Sequence, residues 1–332
     1  MKSYSCLIVF SIMSWLPVNE QALSAELDTK GVSQKSYDLI FQECPRFGEL
    51  AKRERDRSIV LSEVFDSTLE SEQIVNALVE LGLNTPPEEI PWKRLLELAE
   101  RSNTSEFVAV WAVIAAGKAL CCTPRPRELE RWLFRQMKLF PNSPQAQSAI
   151  AVLGVSRIAR AATLREWARL LRNPDTSDDT CRCIGKYASA WGMVYEGGTL
   201  DEGANCLLAG YDEVSASPER KLLIWKALGT VLDMASLGDL FENAELGVIR
   251  VSHIEDTTLW WMHELALREF ADERNPERLR IKVTVALKPV EAISEKAFSA
   301  AKKILKEKGG ADRLRSVAQR VIARAEKYGI EK

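Results

Sequence analysis

The stretch Asp175–Gly192, DTSDDTCRCIGKYASAWG, poses the choice on which the fold depends: a thiolate metal site, or one unit of something repeated. Cys181 and Cys183 stand one residue apart, and Cys121 and Cys122 are adjacent. Neither spacing is the Cys-x-x-Cys of zinc ribbons and fingers. A polar start at Ser177 with two acids behind it, an apolar run and a closing glycine describe a helix instead.

The same design recurs along the chain. Runs ending in an apolar or small residue and then glycine close at Gly82 (ALVELG), Gly117 (AVIAAG), Gly154 (AIAVLG), Gly192 (ASAWG) and Gly229 (WKALG), at intervals of 35, 37, 38 and 37 residues. Upstream of each stands a serine: Ser71, Ser105, Ser143, Ser177 and Ser217, often beside Pro or an acid. A serine hydroxyl accepts from an orphan N–H at a helix start. Proline suits the first turn, and glycine suits a left-handed C-cap.

A second helix is expected in each unit, within PPEEIPWKRLLELAERS, PRPRELERWLFRQMKLF, ATLREWARLLRN, LDEGANCLLAGYDEV and SLGDLFENAELGVIRV. Extending the period twice more places first helices at DTTLWWMHELALREF and ISEKAFSAAKKILKE, and second helices at NPERLRIKVTVALK and ADRLRSVAQRVIARAEKYG. Ile281–Leu287 alternates like a strand; the repeat register outweighs that alternation and makes it helical. Upstream, KSYDLIFQECPRFGELAKRERDRSIVLSEVF reads as a helical capping element.

A two-helix unit of this length resembles HEAT-type repeats, most clearly in LLRNPDTSDDTCRCIGKYASAWG and SPERKLLIWKALG. The regular Asp and Arg positions of HEAT units do not recur, which leaves Armadillo-like and other helical-hairpin arrays open. The tetratricopeptide signature is absent. The resemblance implies an all-α chain, a right-handed α-solenoid of about seven two-helix repeats, with second helices lining the concave side. The expected organisation is a leader over 1–25, an N-terminal helical cap over 26–70 and a repeat array over 71–332.

Composition agrees with a globular chain: 46% apolar and 28% charged residues exclude fibrous and low-complexity classes. The N-terminus has the order of a secretory signal: Lys2, the apolar run CLIVFSIMSWL (Cys6–Leu16), then NEQALSA with cleavage after Ser24 or Ala25. The apolar run is too short to span a bilayer. The alternative is an amphipathic first helix of a cytosolic protein. Export removes Cys6 and leaves Cys44, Cys121, Cys122, Cys181, Cys183 and Cys206 for an oxidising compartment. If Thr180–Trp191 and Leu200–Val214 form an antiparallel hairpin, Cys183 lies opposite Cys206, the preferred disulfide. Cys121 and Cys122, at the end of an apolar helix, read as buried free thiols, the alternative being a functional vicinal pair.

Signs of catalysis are sparse. His253 and His263 are ten residues apart and lack the i, i+4 spacing of a helical metal pair. There is no Gly-x-Ser-x-Gly, phosphate-binding loop or dinucleotide fingerprint, so neither a cofactor nor a metal is expected. Asp178 and Asp179, at a helix start, read as capping residues. Trp92, Trp132, Trp167, Trp225, Trp260 and Trp261 read chiefly as packing, with one or two exposed.

Charge placement is the functional clue. Arg127, Arg131, Arg135 and Lys138 share one face of a second helix, and Arg165, Arg169 and Arg172 repeat the arrangement one unit later. The next second helices carry Asp201, Glu202, Asp212 and Glu213, then Asp239, Glu242 and Glu245. From Arg274 onward there are 16 basic and 7 acidic residues, against a net charge of −2 for the whole chain. Two expectations follow. One is an exported, periplasmic or secreted scaffold holding a protein or peptide partner on the Arg127, Arg131, Arg135, Lys138, Arg165, Arg169 and Arg172 face. The other resembles HEAT-like DNA glycosylases, with basic helices on phosphates; it requires the leader to be false, and the near-neutral net charge speaks against it.

The leader carries its own prediction: protein recovered from its host has lost about 24 residues, checked by intact mass spectrometry. A full-length mass sinks export.

Overall fold

A computed structural model describes residues 40–41, 44, 46–156, 160–191, 199–212, 216–242, 254–287 and 295–306, with scattered residues from 315 to 323. The leader, Glu213, Glu245, His253, the side chains of Asp239 and Glu242, and most of the expected last helix lie outside the described residues. Among those described every regular element is helical, and no helix is long and apolar enough to cross a membrane.

The chain divides into two compact units, with the division falling between Arg160 and Ala161 in sequence. The first holds α1 (Phe47–Leu50), α2 (Arg57–Val64), α3 (Ser71–Asn84), α4 (Trp92–Glu100), α5 (Glu106–Gly117), α6 (Arg127–Leu139) and α7 (Pro144–Ser156). Helix α5, EFVAVWAVIAAG, is apolar nearly all round and therefore central: α3, α4 and α7 all pack against it. Helix α6 instead has one apolar stripe, with Leu129, Trp132, Leu133 and Met137 buried, and lies on α7. Helices α4 and α6 stand side by side, joined by Lys93–Glu128 (3.1 Å) and by Glu100, which accepts from Trp132 Nε1 at 2.7 Å. An inner series α3, α5, α7 is thus flanked by α4 and α6.

The second unit holds α8 (Arg160–Arg172, after its first residue), α9 (Asp178–Ser189), α10 (Leu200–Ala209), α11 (Pro218–Glu242), α12 (Asp256–Ala271), α13 (Glu277–Val283) and α14 (Glu295–Lys306). Here α9, α11 and α13 pack in succession. Helix α10 touches α8 through Cys206 and α12 through Asn205–Thr258, and α12 packs on α14. Ile281–Leu287 is helical, the last four residues as a 3₁₀ turn; Leu279, Val283 and Ala286 are buried at i, i+4 and i+7.

The serine starts hold. Ser105, Ser143, Ser177 and Ser217 accept from the N–H groups of Val108, Ala146, Thr180 and Arg220, at 3.1–3.3 Å. Ser71 is the exception, already inside α3, where Glu70 is the cap and its own N–H donates to Gln73 Oε1 at 3.0 Å.

The glycine ends do not hold. Gly82, Gly154 and Gly229 lie within helices, and Gly117 ends α5 in right-handed conformation, φ −59° and ψ −25°, running straight into a 3₁₀ turn, Lys118–Cys121. Gly192 is outside the described residues. At Gly82 the missing side chain makes room for the Phe41 ring, whose nearest carbon would lie 2.1 Å from a Cβ. Helix α11, 25 residues long, runs on through Gly229, so the hairpin expected to turn there does not turn. In consequence α12, expected as a first helix, sits beside the second helix α10, and α13, expected as a second helix, packs on α11.

Helix C-terminal carbonyls find other donors. Lys118, fully buried, donates through Nζ to the carbonyls of Gly82 and Leu83 at the end of α3. Arg220 donates to the carbonyls of Asn173 and Thr176 beyond α8. Arg280 Nε donates to Phe270 O near the end of α12 at 3.0 Å. The carbonyls of Gly82, Leu83 and Phe270 lie in the last turn of their helices, where intrahelical donors run out and the dipole favours a cation. Asn173 O, beyond α8, also accepts from Thr176 N–H at 3.1 Å.

Gly203 sets the approach of α10 to α9, since a Cβ there would meet Ala188 O at 2.1 Å and Trp191 Cβ at 3.2 Å. Gly203→Ala should therefore cost about 1–3 kcal/mol by overpacking and lower the thermal midpoint. Gly48→Ala, with nothing within 4 Å, is the matched control and should be neutral or slightly stabilising. Equal midpoints for the two variants would refute the close approach.

Candidate functional site

Helix α6 begins after Pro126 and carries Glu128 and Glu130 in its first turn, where carboxylates suit the dipole. Because its apolar stripe faces inward, the four cations at 127, 131, 135 and 138 are left outward, and all four are exposed. Arg131 Nε reaches only Arg127 O, at 3.4 Å, and Arg135 Nη2 lies 3.3 Å from Glu100 Oε1. Glu100 is already shared with Trp132 Nε1 at 2.7 Å and Gln136 Nε2 at 3.5 Å, so it neutralises Arg135 only in part. Among the described residues Arg127, Arg131 and Lys138 form no ion pair. Lys93, on α4, holds Glu128.

Helix α8, in the second unit, repeats the pattern. Thr163, Glu166, Trp167, Leu170 and Leu171 are buried, and Arg165, Arg169 and Arg172 are exposed. Arg165 Nε donates to Ala161 O at 3.1 Å, and Arg169 donates to Glu166 Oε1 through Nη2 at 2.6 Å and Nε at 2.9 Å. Each row is complete within its own unit.

The acidic residues that follow are engaged internally. Asp201 accepts from Asn205 Nδ2 (2.7 Å) and from Glu255 N–H (3.0 Å). Glu202 closes a capping box with Thr199 and accepts from Trp191 Nε1 at 3.2 Å. Asp178 and Asp179 occupy the first turn of α9, but Ser177 supplies the cap, and Asp179 pairs with Arg182.

The expected Cys183–Cys206 disulfide is not formed: both are free thiols. Helix α10 touches α9 and α8 at once, with Gly203 against α9, while Cys206 turns to α8 and its Sγ donates to Leu164 O at 3.4 Å. Burial pushes the Cys206 thiol up to about 12 and the Cys181 thiol up to about 11. Cys121 and Cys122, expected to be buried, are half-exposed on the 3₁₀ turn after α5. No cluster of three or more His, Cys, Asp or Glu that could hold a metal occurs among the described residues. His263 is fully buried beneath Trp260, 6.0 Å away in a stacked arrangement, and desolvation depresses its basicity.

Trp132, Trp167 and Trp225 are buried, whereas Trp260 and Trp261 are exposed. Two further residues bear on the α6 face and were not singled out from the sequence: Leu139, 63% exposed, and Phe140, 55% exposed, directly after Lys138. The sequence carried no signal for Phe140, which stands seven residues after Leu133 and three after Met137 and so keeps the register of the buried stripe, yet is exposed where α6 ends. Compared with family models, curated proteins and solved structures, the chain matches none.

The thiol environments predict two reactivity classes, because the thiolate is the attacking species and burial suppresses it. In native protein Cys121, Cys122 and Cys183 should alkylate, while Cys44, Cys181 and Cys206 should do so only on unfolding, read by peptide mass spectrometry. Rapid native labelling of Cys206 would contradict this packing.

Proposed function

We propose that this protein is an exported, periplasmic or secreted, HEAT-like α-solenoid scaffold that binds a protein or peptide partner on its second-helix face. The observation that carries the reading is the exposed cation row of α6, matched by that of α8. Both rows stand opposite an apolar stripe, and most of their charges have no carboxylate to neutralise them. Helical pairs that bury one stripe and present the other to solvent suit long, shallow recognition surfaces. Guanidinium groups in such rows recognise carboxylates in pairs of hydrogen bonds, which gives geometry as well as charge. The export part rests on the n-region, apolar run and small-residue order of the first 25 residues.

Charge reversal tests the reading. Arg131→Glu combined with Arg169→Glu keeps every buried apolar side chain, removes the Arg169–Glu166 pair on α8, and should abolish capture of the partner by full-length protein incubated with host envelope or medium fractions. Undiminished capture by the double variant, with an unchanged circular dichroism spectrum, would reject the face.

A further inference from the structure

We infer that the outer face of α6 is a docking site for an acidic peptide segment that ends in an aliphatic or aromatic side chain. This rests on the scaffold reading above and names the chemistry of the partner.

Arg127, Arg131, Arg135 and Lys138 lie along one exposed stripe. Eleven residues of rise separate the first from the last, about 16 Å at 1.5 Å per residue. An extended segment of about five residues spans the same length at roughly 3.3 Å each. Three of the four cations form no ion pair among the described residues, so arriving carboxylates meet charges that are not already satisfied.

Leu139 and Phe140 follow Lys138 directly, at the C-terminal end of α6, and both are exposed. Helix α6 leaves its path at Phe140, φ −132° and ψ 52°, and the chain turns there towards α7, with Ser143 N–H bonded to Phe140 O at 2.9 Å. Neither exposed side chain serves the core, which the helix meets through residues up to Met137. Adjacent exposed Leu and Phe supply an anchor that fixes which end of an acidic segment lies where, since burying an apolar side chain is favourable and non-directional while the cation row sets the line.

The same face does not suit an anionic bilayer. Its apolar part is two residues at one end, because the remaining apolar stripe of α6 is inside the protein. Exposed Glu100, 3.3 Å from Arg135, and exposed Glu128, on α6 itself, would oppose a plane of anionic headgroups. A narrow peptide follows the cation row and need not cover these carboxylates, which pair with Arg135 and Lys93 and so link α6 to α4.

The test uses full-length protein and two fluorescein-labelled peptides, five Glu residues followed by Leu-Phe and the reverse order, read by fluorescence anisotropy. At least one should bind, more weakly as salt rises. Arg131→Glu with Lys138→Glu should weaken it at least about tenfold, and Leu139→Ser with Phe140→Ser by a similar factor. Arg278→Glu, at an exposed arginine of α13 outside both cation rows, should leave it unchanged. All the substituted side chains are exposed, and circular dichroism checks that each variant is folded. Binding indifferent to Leu139→Ser with Phe140→Ser would overturn the anchored-peptide assignment, as would equal or tighter binding of phosphatidylserine vesicles or duplex DNA through the same cations. If neither peptide binds but Arg131→Glu with Arg169→Glu still abolishes partner capture, the scaffold reading stands and this assignment falls; if capture is also unaffected, both fall.

Discussion

The packing of this protein depends on how helix C-termini are satisfied inside it. Each helix leaves carbonyl groups without intrahelical partners, and a buried carbonyl lacking a donor costs on the order of 1–3 kcal/mol. Here long cations supply the donors. Lys118 leaves the end of α5 and reaches the last turn of α3, fixing two neighbouring inner helices to each other. In the second unit Arg220 does the same for the segment after α8, and Arg280 for the end of α12. The charge is tolerated in the interior because the helix dipole and several carbonyl oxygens face it.

Once the inner helices are tied this way, the distribution of polarity decides the surface. An all-apolar helix such as α5 has to be central, and the single-striped α6 has to be peripheral. Cations on the unburied side of α6 and α8 are then exposed as a consequence of the packing. Acidic residues met a different fate: Asp201 and Glu202 are used to start and join helices, and Glu166 lies beneath Arg169. Positive charge is the sign left available on these two faces.

The candidate face was legible because both its periods are helical. Positions 127, 131, 135 and 138 fall on one side and 129, 132, 133 and 137 on the other, whatever the neighbours. Leu139 and Phe140 were not legible, since an apolar pair at a helix end reads as core until the neighbouring helix is seen not to cover it. The cysteine pairing failed for a related reason. A hairpin argument puts Cys183 near Cys206 but takes no account of α8, the third helix, towards which Cys206 turns.

The sequence by itself determined that the protein is helical, where most of its helices begin, and which side of each is apolar, because capping hydroxyls and 3.6-residue periodicity are local properties. Only the tertiary structure decided where the helices stop and what their glycines are for. Gly82 and Gly203 answer to atoms distant in sequence, those of Phe41 and Ala188, and Gly229 lies inside α11 without ending it. A glycine permits both a left-handed turn and a close approach. Which one it makes depends on the element that arrives beside it, and that is a long-range contact with no local signature.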